Sequence, residues 1–331
     1  MNKYSSIRVG IAGATGYAGV ELLRLLARHP AADIRLAMGS GTSEVRRVPA
    51  LSRIWDAPVV PFDVDRLATE TDAVFLAVPE TLAAQVAPAI ARRGARVLDL
   101  SGAFRLTNDS ERERWYPHSP APQVSVAYGL TEQNRRAVAE AKLIACAGCY
   151  PTAALLALQP LAAAGAIQPG IVIDAKSGIS GAGKTPSERT HFSECHGSIS
   201  AYGVFAHRHA AEIEQGLGMS VTFVPHLVPL DRGIFETIYA RLSPEIGADE
   251  IGELLTASYR DSPFVRLTGT ELPEIKHVVH TNFCDIGWRA DRRGGQLVMV
   301  ACIDNLVKGA AGQAIQNFNV AFGFDETLGL N

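Results

Sequence analysis

Apolar residues come in short unbroken runs through the first half of this 331-residue chain. Ile7–Ala12 and residues 34–38, 73–78 and 96–100 each read as a strand, and the run at 73–78 suits a parallel strand covered on both faces. Between them, residues 20–28 place Leu22, Leu23, Leu25 and Leu26 at helical spacing, and His29-Pro30 stops the helix. Residues 81–93 read as a further helix. This alternation predicts an α/β fold with a Rossmann-type doubly wound parallel sheet. Leu143–Cys146 reads as a late strand of the sheet, ending at the edge where such sheets bind ligands.

The pattern changes beyond residue 149. Strand-like runs at 171–176, 221–225, 233–242 and 296–303 cluster without regular crossovers, with one helical stretch at 248–259. That arrangement predicts a mixed sheet in a second α+β domain. The expected organisation is a nucleotide-binding domain over 1–148 and a second, α+β domain over 149–307. The helical stretch at 308–331 is expected to return to the first domain. There is no repeat, low-complexity tract or long linker.

Composition narrows the function classes. The chain is 47% hydrophobic and 20% charged, with 31 basic against 34 acidic residues. A net charge of -3 gives neither a nucleic-acid footprint nor a polybasic membrane surface. The longest apolar run, 152–167, is interrupted by Gln159-Pro160 and falls short of a membrane span. The first residues lack a signal-type apolar core. Five cysteines, an odd number, do not suggest a secreted disulfide framework. A cytoplasmic protein acting on small molecules is expected, with no nucleic acid, membrane or metal partner.

Glycines at 10, 13, 16 and 19 recur every third residue between the first strand and the first helix. Such a turn brings backbone close to a pyrophosphate and offers it the helix N-terminus, so Gly13, Thr15, Gly16, Tyr17, Ala18 and Gly19 are candidate cofactor contacts. An NAD site usually places an acid at the end of the second strand. Here that strand runs into Gly39-Ser40-Gly41-Thr42-Ser43, followed by Arg46 and Arg47, so Ser40 and its neighbours favour the 2′-phosphate of NADP.

Cys149 follows a glycine turn and opens a run of helix formers, Ala153-Ala154-Leu155-Leu156. A thiol at a helix N-terminus faces backbone N–H groups and the positive end of the macrodipole, which favour the attacking thiolate. A nucleophilic cysteine beside a nicotinamide site points to aldehyde and activated acid interconverting through a thioester. Cys146-Ala147-Gly148-Cys149 is formally CxxC, but no second pair exists to complete a zinc site, and Cys146 reads as a buried strand residue. Residues 206–215 gather His207, Arg208, His209 and Glu212 on one helix-like segment. His209 and Glu212 share a face, while His207 is expected roughly opposite His209. Either imidazole suits proton transfer, and Arg208 and Glu212 are candidate substrate contacts. Arg105 follows a strand end and suits a carboxylate or acyl phosphate. The glycine-serine loop over residues 176–184 suits phosphate but is not a Walker A sequence.

Taken together, these segments resemble the N-acetyl-γ-glutamyl-phosphate reductase family. The motifs are Gly13-Ala14-Thr15-Gly16-Tyr17-Ala18-Gly19, Asp99-Leu100-Ser101 with Phe104-Arg105-Leu106, and Gly148-Cys149-Tyr150-Pro151-Thr152. Further on come Lys176-Ser177-Gly178, Ser180-Gly181-Ala182-Gly183, His191-Phe192-Ser193-Glu194, Tyr202-Gly203, His207-Arg208-His209, Phe223-Val224-Pro225-His226-Leu227 with Arg232-Gly233, and residues 304–310. The resemblance implies a Rossmann NADP-binding domain plus an α+β catalytic and oligomerisation domain over 149–307, NADP as cofactor, Cys149 as nucleophile and a homodimer or homotetramer. It also implies that Arg105 holds substrate anion and that the His207–His209 segment supplies acid-base help, His209 being favoured for proton transfer. Ser177, Gly178, Gly181, Gly183 and Asn305 would lie along the cofactor. Two segments depart from the family pattern, Ala210-Ala211 and Cys195-His196-Gly197-Ser198-Ile199-Ser200-Ala201. The alternatives are the same chemistry on a carrier-linked aminoadipyl phosphate, and a regulator that only binds nucleotide.

Overall fold

The computed structural model describes residues 4–40, 47–291 and 295–331. By packing, the chain divides into two compact units: Met1–Ala147 with Ala310–Asn331, and Gly148–Gly309.

In the first unit the elements are β1 (Ile7–Ala12), α1 (Tyr17–Leu26), β2 (Ala32–Gly39), β3 (Val60–Pro61), α2 (Val64–Glu70), β4 (Ala73–Leu76) and α3 (Glu80–Arg92). β5 (Arg96–Asp99), α4 (Asp109–Trp115), β6 (Val126–Gly129), α5 (Thr131–Glu140) and β7 (Leu143–Cys146) follow, and a C-terminal helix, Gly312–Ala321, rejoins them. The strands lie in the order β3-β2-β1-β4-β5-β7-β6, every pair parallel. The expected doubly wound sheet is therefore present. Alternate strand residues feed two cores, as the two-residue period of a strand requires. Val9, Ile11, Phe75 and Leu98 pack with Leu22 and Leu23 of α1 and Phe318 of the C-terminal helix. Leu36, Val74, Leu76 and Val97 pack with Ala83, Ala87 and Ile90 of α3 on the other face. Each buried Val, Leu, Ile or Phe among them contributes about 1.5–3 kcal/mol relative to exposure.

The chain passes from β3 back across β1 to β4, so the crevice at the carboxyl ends of β1 and β4 is the switch point of the sheet. α1 begins at Tyr17 rather than residue 20, because Gly16 takes the N-cap with extended backbone. The stretch expected to be helical from residue 308 opens instead as a π-turn over Val307–Ala311 and is α-helical only over Gly312–Ala321.

The second unit comprises α6 (Cys149–Ala163), β8 (Ile171–Gly178), α7 (Phe192–Cys195), β9 (Ser200–Ala201), α8 (Arg208–Leu217) and β10 (Val221–Val228). It continues with β11 (Ile234–Arg241), α9 (Glu250–Tyr259), β12 (Val265–Gly269), β13 (Cys284–Asp291) and β14 (Gln296–Ile303). Its sheet runs β12-β13-β14-β11-β8-β10-β9 and is mixed: β8 and β10 are parallel, as are β12 and β13, while the other pairings are antiparallel. α6 packs on β11 and β14 and against α8 and α9. Its residues from Tyr150 to Leu158 are all buried, and the helix continues through Pro160, where the apolar run is interrupted. Among the described residues no helix is long and apolar enough to cross a membrane.

Candidate active site

In the first unit, the turn after β1 is shaped by close backbone approach. Gly13 has φ +84°, and a Cβ there would lie 2.0 Å from the Ala77 carbonyl oxygen just beyond β4. A Cβ on Gly19 would lie 2.1 Å from the Gly13 oxygen. The N–H groups of Gly13 and Ala14 donate to the Met38 carbonyl at 2.8 and 2.9 Å, holding the turn over the end of β2. Gly16, the N-cap of α1, brings no side-chain acceptor to the helix start. Open backbone at a helix N-terminus, with only small residues pressed beneath it, fits a pyrophosphate. Thr15 packs near Gly39, Tyr17 is exposed beside Ala18, and Ser40 is exposed at the end of β2. Thr42, Ser43 and Arg46 lie outside the described residues, and Arg47 is exposed.

Arg105 is buried at the carboxyl edge of the same sheet. Its Nε donates to the Cys146 carbonyl and one terminal nitrogen to the Leu100 carbonyl, both at 2.8 Å, so the ends of β5 and β7 fix the guanidinium. Asp99 is fully buried and accepts from the Ser101 N–H and hydroxyl, both at 2.9 Å. Burial pushes this carboxyl up to about 6, against the lowering pull of Ser101 and Arg105. Cys146 is fully buried and its thiol is pushed up to about 12, chiefly by burial, which makes it an unreactive partner for any CxxC chemistry.

In the second unit, Cys149 is the first residue of α6, with Gly148 as N-cap. Glu212, buried on α8, accepts the Gly148 N–H through Oε1 at 2.8 Å. The Glu212 carboxylate thus ties α8 to the turn that presents the thiol. On another side, Gly309 meets Cys149 so closely that a Cβ would stand 2.8 Å from the Cys149 Cβ. Its backbone is held in the π-turn, where Gly309 N donates to the Asp304 carbonyl at 2.9 Å. The fully buried Asp304 side chain accepts from the N–H groups of Leu306, Val307 and His280.

His207 lies outside the helix. It is the N-cap of α8 with extended backbone, and its Nδ1 accepts the His209 N–H at 3.1 Å. The two rings are consequently neighbours, 4.8 Å between centroids, rather than on opposite sides as helical spacing suggested. Both lie edge-on to Tyr150, each at 5.8 Å. Phe223 backs Tyr150 and His207. Burial, with the charge of Arg208, lowers His207 to about 4, so it is a neutral imidazole at neutral pH. An accepting Nδ1 places its proton on Nε2. Arg208 is exposed at the first position of α8, where a cation works against the helix dipole but reinforces any anion bound there.

Ser177 and Gly178 end β8, and residues 179–182 form a 3-10 turn closed by Gly183 at φ +83°. Asn305 stitches this turn to the start of β11: its Oδ1 accepts from Gly233 N at 2.8 Å and its Nδ2 donates to the Ser180 hydroxyl at 3.0 Å. A Cβ on Gly181 would lie 2.6 Å from the Ser177 hydroxyl. Among the described residues, no three His, Cys, Asp or Glu side chains converge as metal ligands.

Two phenols escaped the sequence reading as site groups. The Tyr150 and Tyr202 hydroxyls are 3.3 Å apart, and the Tyr150 hydroxyl reaches the His226 carbonyl at 3.3 Å. Burial raises both, Tyr202 to about 12, so both remain protonated donors. Tyr150 directly follows the cysteine and Tyr202 stands shortly before His207, and this adjacency is the signal that could have found them.

The two-sheet architecture and the family models that match it define a semialdehyde dehydrogenase-type protein. Residues 8–141 match the family described as semialdehyde dehydrogenase, NAD binding domain, and residues 149–305 match semialdehyde dehydrogenase, dimerisation domain. Aspartate semialdehyde dehydrogenase II of Vibrio cholerae, complexed with ASA, shares the fold with a TM-score of 0.74 at 18% identity, over 96% of this chain and 99% of that one. An aspartate semialdehyde dehydrogenase with NADP from Candida albicans gives 0.69 at 17% identity, over 96% and 98%. The N-acetyl-gamma-glutamyl-phosphate reductases of Shouchella clausii and Bacillus subtilis are 45% and 42% identical to this chain, each over 98% of both sequences. The chain belongs to the N-acetyl-γ-glutamyl-phosphate reductase family.

Proposed function

We propose that the protein reduces N-acetyl-γ-glutamyl phosphate to N-acetylglutamate 5-semialdehyde and phosphate, a step of arginine biosynthesis, with NADPH as reductant and a thioester on Cys149. The observation that carries this reading is Cys149 at the head of α6, with its turn anchored by Glu212 and two imidazoles gathered on Tyr150.

The Cys149 thiolate attacks the γ-acyl carbon; the C–S bond forms and the C–O bond to phosphate breaks. Arg105 serves the substrate anion, and the Tyr150 and Tyr202 hydroxyls remain donors near the nucleophile. NADPH, when bound, supplies the hydride that the thioester carbon accepts. His209 donates a proton to the oxyanion that results and takes it back as the C–S bond breaks and aldehyde leaves. His207 is neutral and accepts the backbone N–H of His209, so it orients rather than protonates. The glycine turn from Gly13 to Gly19 and Ser40 serve the cofactor in the first unit, and Ser177, Gly178, Gly181, Gly183 and Asn305 serve it in the second. Arg208 and Glu212 flank the substrate, Glu212 chiefly as the anchor of Gly148.

The second sheet keeps Tyr239 45% exposed on the face away from α6, which suits contact with a second copy in a homodimer or homotetramer. Free cysteines throughout suit the reducing cytoplasm. The test is phosphate-dependent NADP reduction with N-acetylglutamate 5-semialdehyde beside aspartate and carrier-linked aminoadipate semialdehydes. Turnover chiefly on the acetylated compound is expected, and preference for another aldehyde overturns the substrate assignment.

A further inference from the structure

A cavity of about 570 Å³ lies in the second unit. Its walls include Ile179, Leu227, Ser187, Ser200 and Arg189. Cys195, Ser198 and Ser200 also line it, and they belong to the segment that departs from the family pattern. Arg189 is exposed, and its guanidinium lies 5.6 Å from the Tyr202 ring centre. Among the described residues it has no carboxylate within ion-pair distance, although Glu188 and Glu194 also line the cavity. Tyr202 links the cavity to the nucleophile: its hydroxyl meets that of Tyr150, the neighbour of Cys149. The positive fields of Arg189 and Arg208 both reach the Tyr202 hydroxyl.

A cation laid on an aromatic face keeps its N–H edge available for a planar anion. An acyl substrate held by its carbon at Cys149 would extend past the two phenols, and an anionic far end would then meet Arg189. We propose that Arg189 sets specificity for an acyl chain ending in a carboxylate, by holding that carboxylate in this cavity while Cys149 takes the acyl carbon. This rests on the substrate reading above, in which the α-carboxylate is that far end. The apolar Ile179 and Leu227 suit the acetyl methyl, and Ser187 and Ser200 suit its amide.

The experiment compares wild type, Arg189→Gln and Arg189→Lys on N-acetylglutamate 5-semialdehyde and on its α-methyl ester, with phosphate and NADP. Wild type should prefer the free acid. Arg189→Gln should raise KM for the acid about 10–100-fold, the value of a charge-assisted pair, with kcat within a few-fold and the ester unaffected. Arg189→Lys should recover part of the loss, and KM for NADP should stay constant in both. A Gln variant that keeps the acid-over-ester preference, or that loses NADP affinity instead, overturns the assignment of Arg189 alone. Wild type inert on the acid overturns the substrate reading and this proposal with it.

Discussion

Replacing Glu212 separates the positioning of Cys149 from its intrinsic reactivity. Glu212 is 1% exposed, and its Oε1 takes the Gly148 N–H at 2.8 Å, one residue before the thiol. A hydrogen bond to a charged group contributes about 1.5–3 kcal/mol, against about 0.5–1.5 kcal/mol for a neutral one. Glu212→Gln keeps shape and an acceptor oxygen, so it should cost about 1 kcal/mol and lower kcat roughly 5-fold. Glu212→Ala leaves the Gly148 N–H unpartnered by this carboxylate and opens space beneath the turn. The orphaned donor costs about 1–3 kcal/mol. Misplacement of the nucleophile by about 1 Å costs about 100-fold in rate. The assay is kcat at saturating substrate together with the rate of Cys149 alkylation by iodoacetamide and the thermal midpoint. An Ala variant that folds, alkylates at the wild-type rate and retains full kcat would refute the argument that Glu212 presents the thiol.

His209→Gln should lower kcat by about 100–10,000-fold, the range of a proton-transfer residue, while His207→Gln should cost far less, read in the same steady-state assay. His207 has a folded-state value lowered to about 4, so the unfolded chain binds more protons between pH 6.5 and 4; stability falls as pH drops through that window, and His207→Gln should flatten the slope in urea titrations. Glu236 is fully buried on β11, neither carboxyl oxygen has a hydrogen-bond partner among the described residues, and burial raises its pKa well above the ordinary value. The unfolded chain therefore loses that proton first. Stability from this group is complete below the unfolded value and is lost as pH rises toward the folded one; Glu236→Gln should make the urea midpoint less sensitive to rising pH above the ordinary carboxylate range. Gly309→Ala puts a Cβ 2.8 Å from that of Cys149, so kcat should fall at least about 10-fold with a smaller loss of thermal stability, and unchanged kinetics would contradict the described contact.

Much of the sheet was legible because its strands are buried on both faces. Ile7–Ala12 and Leu143–Cys146 are apolar enough that their ends show in the sequence. α4 and α5 were not read, because Asp109–Trp115 and Thr131–Glu140 are dominated by charged and polar residues with few apolar positions. Gly16 and Gly148 were visible as turns before helices, and both are N-caps. The neighbourhood of His207 and His209 could not be read from helical spacing, since His207 stands outside the helix and folds its ring over the N-terminus. The convergence of Tyr150 with Tyr202, and of Glu212 with Gly148, spans 52 and 64 residues of sequence and depends on tertiary packing.

A burst experiment shows whether a thioester forms on Cys149. Enzyme is mixed with N-acetylglutamate 5-semialdehyde and NADP in the absence of phosphate, and NADPH formation is followed by absorbance before the protein is quenched for peptide mass analysis. The expected result is a burst stoichiometric with active sites, an N-acetylglutamyl group on the peptide bearing Cys149, steady turnover only once phosphate is added, and none of these in Cys149→Ser. Sustained turnover without phosphate attack on an acylated Cys149, or an undiminished rate in Cys149→Ser, would contradict it.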